Sequence, residues 1–336
     1  MIRFFLIRIA LFFSIIAIAC IAINYFTSSP ADQKDQSTYM QAMIDKHARI
    51  KKIGGPKVLL VGGSNLAFGV NSELLQRELA VPVVNLGLHA GLGLSFMVNE
   101  LKSIVQDGDI VFLSTEYFLS DEGIPDLQLL ASKSFPAAKS YYSTNFIEQS
   151  GRYLENTQTK FKSLFTPFHE GPKVDSSVEN TGKKIYSRKA FNKFGDNIAN
   201  AGLTAPTTLN DRVVYTYRSW EGIEMLNDLW EMEKTKNVTL YFLFPPFPES
   251  EYKTNTKVIQ MYLDDLKTKL HFHIVGKPED FVFPDDLFFD TVYHLTEKGR
   301  NRRTALMIEL MRADTQVFDA IKNMKDKYYS SSNIID

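Results

Sequence analysis

Short apolar runs alternate with amphipathic stretches along most of this chain. Residues 57–61 form an apolar run that ends in Gly62-Gly63-Ser64-Asn65, which reads as a strand buried on both faces. Asn71-Ser72-Glu73 then opens a helix through Leu79, with Leu74, Leu75 and Leu79 as its apolar stripe. Residues 81–86 predict a second strand, 87–93 a glycine-rich turn and 94–105 an amphipathic helix. Asp107-Gly108-Asp109 turns the chain into a third strand at 110–114. Farther on, 220–234 predicts a helix, and 238–244 a fourth strand stopped by Pro245-Pro246. A helix at about 255–270 leads into a short fifth strand at 271–275. Thr296 is the candidate N-cap of a last helix through Met311. This βαβαβ…αβαβ…α order predicts a three-layer α/β/α fold with a mainly parallel, five-stranded, flavodoxin-like sheet.

Two regions break the alternation. Residues 119–208 are rich in Lys, Ser, Asn, Thr and aromatics with weak periodicity, apart from a helical pattern at 146–165. They read as an insertion, a lid over the mouth of the sheet or a surface excursion. At the other break, residues 9–26 carry no charge and almost no polarity. As a helix they would extend about 27 Å, close to the roughly 30 Å hydrocarbon core of a bilayer. Arg3 and Arg8 flank the start of this stretch. The positive-inside rule then leaves the N-terminus in the cytoplasm and the rest outside. A cleaved signal peptide ending near Ala17-Ile18-Ala19 is the rival reading, and a lipid anchor at Cys20 a weaker one. The expected organisation is an anchor at 1–27, a linker or stalk at 28–55 with a helix at 39–52, an α/β domain at 56–320 interrupted by 119–208, and a tail at 321–336. The expected location is the cell (inner) membrane, single-pass, with the main domain periplasmic or extracellular.

Composition narrows the chemistry. The formal net charge of the 336 residues is −1 and no basic stripe is present, which argues against nucleic acid as a partner. Cys20 is the only cysteine, so the domain has neither disulfides nor thiolate chemistry. No strand-linked G-x-G-x-x-G, Walker A lysine, compact His-x-x-x-His pair or G-x-S-x-G elbow occurs. No cofactor and no metal are expected.

The remaining candidate chemistry is nucleophilic. Ser64 follows the first strand, at the carboxyl edge where open α/β sheets place their ligands. A serine hydroxyl needs a neighbouring base. His294, just before the last helix, falls at the same edge. Asp290, four residues upstream, is placed to orient the imidazole, with Asp285 and Asp286 as competitors. The backbone amides of Ser64 and Gly87 are candidate oxyanion donors, and the Asn65 side chain is a third. His89, Glu116, Tyr215 and Arg218 are candidate pocket residues. Each of these also has a bland reading as a turn, cap or packing residue.

Three blocks carry a family resemblance. Gly63-Ser64-Asn65 after a strand, Asn85-Leu86-Gly87 after the next, and Asp290 with His294 near the C-terminus resemble the SGNH, or GDSL-like, hydrolases. The likeness covers roughly residues 55–118 and 210–312. It is nearest to the membrane-anchored members that accompany membrane-bound O-acyltransferases in envelope modification. The resemblance implies an esterase or acyltransferase acting on an envelope glycan or exported polysaccharide, with an acylated glycan or acyl donor and a membrane-bound O-acyltransferase as partners. It assigns Ser64 as nucleophile, His294 as base and the Gly87 amide to the oxyanion hole. Two departures favour the alternative, a non-catalytic scaffold of an acyltransferase. Three residues rather than two separate Asp290 from His294, and Leu113-Ser114-Thr115-Glu116 stands where the family has a Gly-x-Asn-Asp segment.

Overall fold

The computed structural model describes residues 39–143, 184–203, 205–206 and 208–330, together with residues 4, 7, 8, 11, 12 and 14. The expected anchor at 9–26 lies almost wholly outside the described residues, and the helix expected at 146–165 entirely so. Among the described residues no helix is long and apolar enough to cross a membrane.

Along the chain the elements are α1 Ala42–Ile53, β1 Val58–Gly62, α2 Ser64–Ala67, α3 Ser72–Leu79, β2 Val83–Asn85, α4 Leu94–Ile104, β3 Ile110–Ser114 and α5 Pro125–Ser134. After the insertion come α6 Gly222–Lys236, β4 Thr239–Leu243, β5 Phe247–Pro248, α7 Glu249–Lys269, β6 His273–Val275, β7 Val282–Phe283, α8 Glu297–Ala313 and α9 Thr315–Tyr328. Five strands form one parallel sheet in the order β2-β1-β3-β4-β6. β5 and β7 make a separate two-residue parallel pair. Helices cover both sides: α4 packs with α6, and α3 with α8, which in turn packs with α9. Every residue of β1, β2 and β3 is therefore buried, which is why these strands read as continuous apolar runs rather than alternating ones. The chain leaves β1 toward β2 on one side and returns to β3 on the other. That reversal puts the topological switch at the carboxyl ends of β1 and β3, the place where open α/β sheets bind their ligands.

Several boundaries differ from the sequence expectation for identifiable reasons. Helix α7 starts at Glu249, six residues earlier than expected, directly after Pro248, with Glu249 and Glu251 in its first turn. The expected C-terminal tail is largely helix. Asp314 accepts from the amides of Gln316 and Val317 to start α9, and the following Tyr329 hydroxyl donates to Pro56 O.

The expected stalk at 39–52 is docked onto the domain. Tyr39, Met40, Ala42 and Met43 are all at most 3% exposed and pack with α5 of the insertion. Two cations of α1, Lys46 and Arg49, are buried because oxygen acceptors receive them. Arg49 donates to Val83 O and Gln76 Oε1. Lys46 Nζ donates to three carbonyls, those of Asn85, Gly87 and Gly195, at 2.6–2.9 Å. Burial pulls the Lys46 ammonium down and outweighs the opposing pull of Asp196, Glu100 and Asp45, leaving it at about 7.

Candidate functional site

The Gly62-Gly63-Ser64 turn is shaped by what lies against it. Neither glycine has a positive φ. Gly62 pairs with Ser114 of β3, and a Cβ there would sit 1.9 Å from Ser114 O. A Cβ on Gly63 would lie 2.3 Å from the Glu116 carboxylate. The glycines are thus required by close approach, not by a left-handed turn. Ser64 opens α2 at this switch, and Glu116 faces it from just beyond the end of β3. Glu116 Oε1 accepts from the Asn65 amide at 3.0 Å and from Ser64 Oγ at 3.5 Å.

The histidine and aspartate arrive on a closed loop. Phe289 N donates to His294 O at 2.7 Å, and Phe288 bridges Leu295 in antiparallel fashion. This tight return absorbs the extra residue between Asp290 and His294 and brings Asp290 Oδ1 to 2.8 Å from His294 Nδ1. Asp285 and Asp286 are exposed, and Asp285 is engaged by Ser250 N. Burial opposes ionisation of Asp290, but the His294 bond and charge, together with the Tyr186 hydroxyl, hold its carboxyl below the ordinary range. The His294 ring stacks on Phe68, with centroids 4.2 Å apart and planes 20° off parallel. Phe68 immediately follows α2, so this contact sets the base beside the helix that Ser64 begins. Among the described residues no hydrogen bond joins Ser64 Oγ to His294. Such bonds often tighten only with substrate in place.

The proposed oxyanion donors are placed less simply. The Gly87 amide donates to Asn85 Oδ1 at 2.9 Å. Asn65 is fully buried: its Nδ2 donates to Ser114 O, and its Oδ1 accepts from Ser114 Oγ and Arg303. The Asn65 side chain is thus held at both ends beneath the turn, with Ser114 O taking one of its two Nδ2 protons.

His89 lies near enough for His294 to act on it electrostatically. Burial, then His294, lowers it to about 4, and its neutral Nδ1 accepts from Gly91 N at 2.9 Å. Tyr215 donates to or accepts from Tyr293 at 2.6 Å between the hydroxyls, within an aromatic group that includes Tyr117 and Phe118. Arg218 is exposed on the segment leading to α6. Asn71, Asn192, Phe194, Asp196, Arg300 and Asn301 line a cavity of about 400 Å³ that holds none of the expected site residues.

Sequence reasoning missed Tyr186. It comes from the insertion, donates to Asp290 Oδ2, and stands 3.3 Å from His294 Nδ1. Nothing in the weakly periodic sequence around it marks it, because the contact spans 104 positions. A Tyr186→Phe variant should release Asp290 toward the ordinary carboxylate range, read as an upward shift of its carboxyl titration by NMR. The lost charge-assisted bond is worth about 1.5–3 kcal/mol. No family model and no curated protein matches the chain.

Proposed function

We propose that this chain is a membrane-tethered, extracytoplasmic SGNH-like protein that transfers or hydrolyses an acyl ester on an envelope glycan or exported polysaccharide. The observation that carries the reading is the Asp290–His294 dyad at 2.8 Å, stacked on the residue that ends the Ser64 helix, at the topological switch of a parallel sheet. The residues fit a two-step acyl transfer. Ser64 Oγ attacks the acyl carbonyl and its proton passes to His294 Nε2, leaving an oxyanion. Asp290 accepts from His294 Nδ1–H, fixes the tautomer that leaves Nε2 as the base, and stabilises the imidazolium. Collapse breaks the ester C–O bond, and the departing alkoxide takes the proton from His294. A sugar hydroxyl or water, deprotonated by His294, then attacks the acyl-serine and regenerates Ser64. The uncharged stretch at 9–26 supports the membrane tether and the extracytoplasmic location.

The test is labelling by a fluorophosphonate of the full chain, purified in detergent or nanodiscs. One phosphonylated peptide containing Ser64 is expected, lost in Ser64→Ala. A folded protein that stays unlabelled and releases no p-nitrophenol from an acetate ester, with or without polysaccharide, would sink the enzymatic reading. The second reading, a non-catalytic scaffold for an acyltransferase, draws on the engaged Gly87 amide and on Glu116 at the Asn65 amide. In cells, Ser64→Ala with unchanged polysaccharide acylation, against loss on deletion of the chain, would favour it.

A further inference from the structure

Glu116 is the anomaly of this site. It is 6% exposed, and its Oε1 sits on the Asn65 amide and the Ser64 hydroxyl. Its Oε2 is buried with no hydrogen-bond partner. The carboxylate also fills the space in which a side chain at residue 63 would stand. The Gly-Gly-Ser turn and Glu116 therefore fit one another as a pair.

A carboxylate in that place is chemically wrong for acyl transfer. Attack by Ser64 Oγ turns the carbonyl oxygen into an anion bonded to the carbon that Oγ has just joined. An oxygen 3.5 Å from Oγ is close enough to meet that anion. Catalysis of this kind relies on donors aimed at the new charge. Glu116 presents acceptors only, and it already takes up the neighbouring Asn65 N–H. Arg303, a cation that the charge of Glu116 acts on, is wholly buried and donates to Asn65 O, Asn65 Oδ1, Ser114 Oγ and Phe244 O rather than to Glu116.

On the acyl-transfer reading above, we propose that Glu116 is a negative determinant of acylation at Ser64: it holds the serine hydroxyl and the Asn65 amide and opposes the oxyanion. Glu116→Gln keeps the shape, removes the charge and adds two N–H donors. Glu116→Ala removes charge and acceptors together, and Gly63 and Asn65 N are then left open.

The experiment measures the second-order rate of fluorophosphonate labelling of the full chain in nanodiscs for the wild type, Glu116→Gln, Glu116→Ala and Ser64→Ala. Melting curves establish which variants are folded. The proposal expects both Glu116 variants to label about tenfold faster than wild type or more, equivalent to about 1.4 kcal/mol or more in the barrier, with Ser64→Ala unlabelled. Equal or slower labelling of a folded Glu116→Gln overturns it, and slower labelling would make Glu116 an acceptor for the Ser64 proton instead. If Glu116→Gln does not fold, Glu116→Ala decides by the same criterion. Absence of labelling in the wild type and in both Glu116 variants sinks the acyl-transfer reading itself. Labelling of wild type without acceleration sinks only the role given to Glu116.

Discussion

His294→Ala should slow phosphonylation of Ser64 and ester turnover by about 10²–10⁴-fold, the usual contribution of a positioned general base. The loss should appear without loss of fold. His294 is 6% exposed, but its polar contacts run to Asp290 and Tyr186, both within the site, rather than to the sheet. The ring leaves a gap against Phe68, and this costs packing energy on one face only. Asp290→Asn should fall in the same direction while keeping His294 in place. An amide at Oδ1 would present either a donor to Nδ1 or a neutral acceptor that no longer stabilises the imidazolium. The wrong tautomer alone costs about 10⁴ in a well-studied protease. The measurement is the rate of p-nitrophenol release from an acetate ester against Ser64→Ala as the floor. If His294→Ala retains wild-type rates while Ser64→Ala is inactive, another group takes the proton. Glu116, 3.5 Å from Ser64 Oγ, is then the residue to test.

The sheet was legible because its strands are buried on both faces. Runs such as residues 58–62 and 110–114 have no polar face to hide the pattern, and each sits within a residue of its expected place. Helix starts were legible where a side chain makes the cap, as Asn71 does with Leu74 N and Thr296 with Gly299 N. The start of α7 has no such side-chain cap, so its boundary slipped. The docking of α1 was not legible at all. Nothing in the sequence marks Lys46 and Arg49 as buried, and it is the carbonyls of residues 83–87 and 195, with Gln76 Oε1, that turn them inward. In the site, the chain order marked Ser64, Asp290 and His294. Asn65 and Gly87 look like donors in sequence because the residue types fit; in the fold one Asn65 Nδ2 proton goes to Ser114 O, 49 positions away, and the Gly87 amide to Asn85 Oδ1, 2 positions away. Glu116 was visible as a departure from the family pattern. Its fit against Gly63 comes from the close approach of the β1 and β3 ends, which lie more than 50 positions apart in sequence.

Arg303→Met should destabilise the fold by about 3 kcal/mol or more, because it strands buried acceptors that cost about 1–3 kcal/mol each when left unpaired. Arg303 is wholly buried and reaches from α8 to four acceptors on three other parts of the molecule. It donates to Asn65 O at 2.8 Å, Ser114 Oγ at 3.0 Å, Asn65 Oδ1 at 3.2 Å and Phe244 O at 3.3 Å. These sit on α2, at the end of β3 and just beyond β4, so one guanidinium clamps the carboxyl edge on which the Ser64 turn is built. Burial lowers its pKa, and the charge of Glu116 opposes that shift. Lysine cannot reproduce the planar fork, so Arg303→Lys should keep the charge and still lose part of the stability. Urea unfolding of the full chain reads all three: a large fall in midpoint for Arg303→Met, an intermediate one for Arg303→Lys, and a change within about 0.5 kcal/mol for Ser64→Ala, which removes no buried network. An Arg303→Met protein as stable as wild type would mean that Asn65 and Ser114 satisfy one another without the clamp. The placement of Ser64 would then rest on β1, Glu116 and the Gly62–Ser114 approach alone.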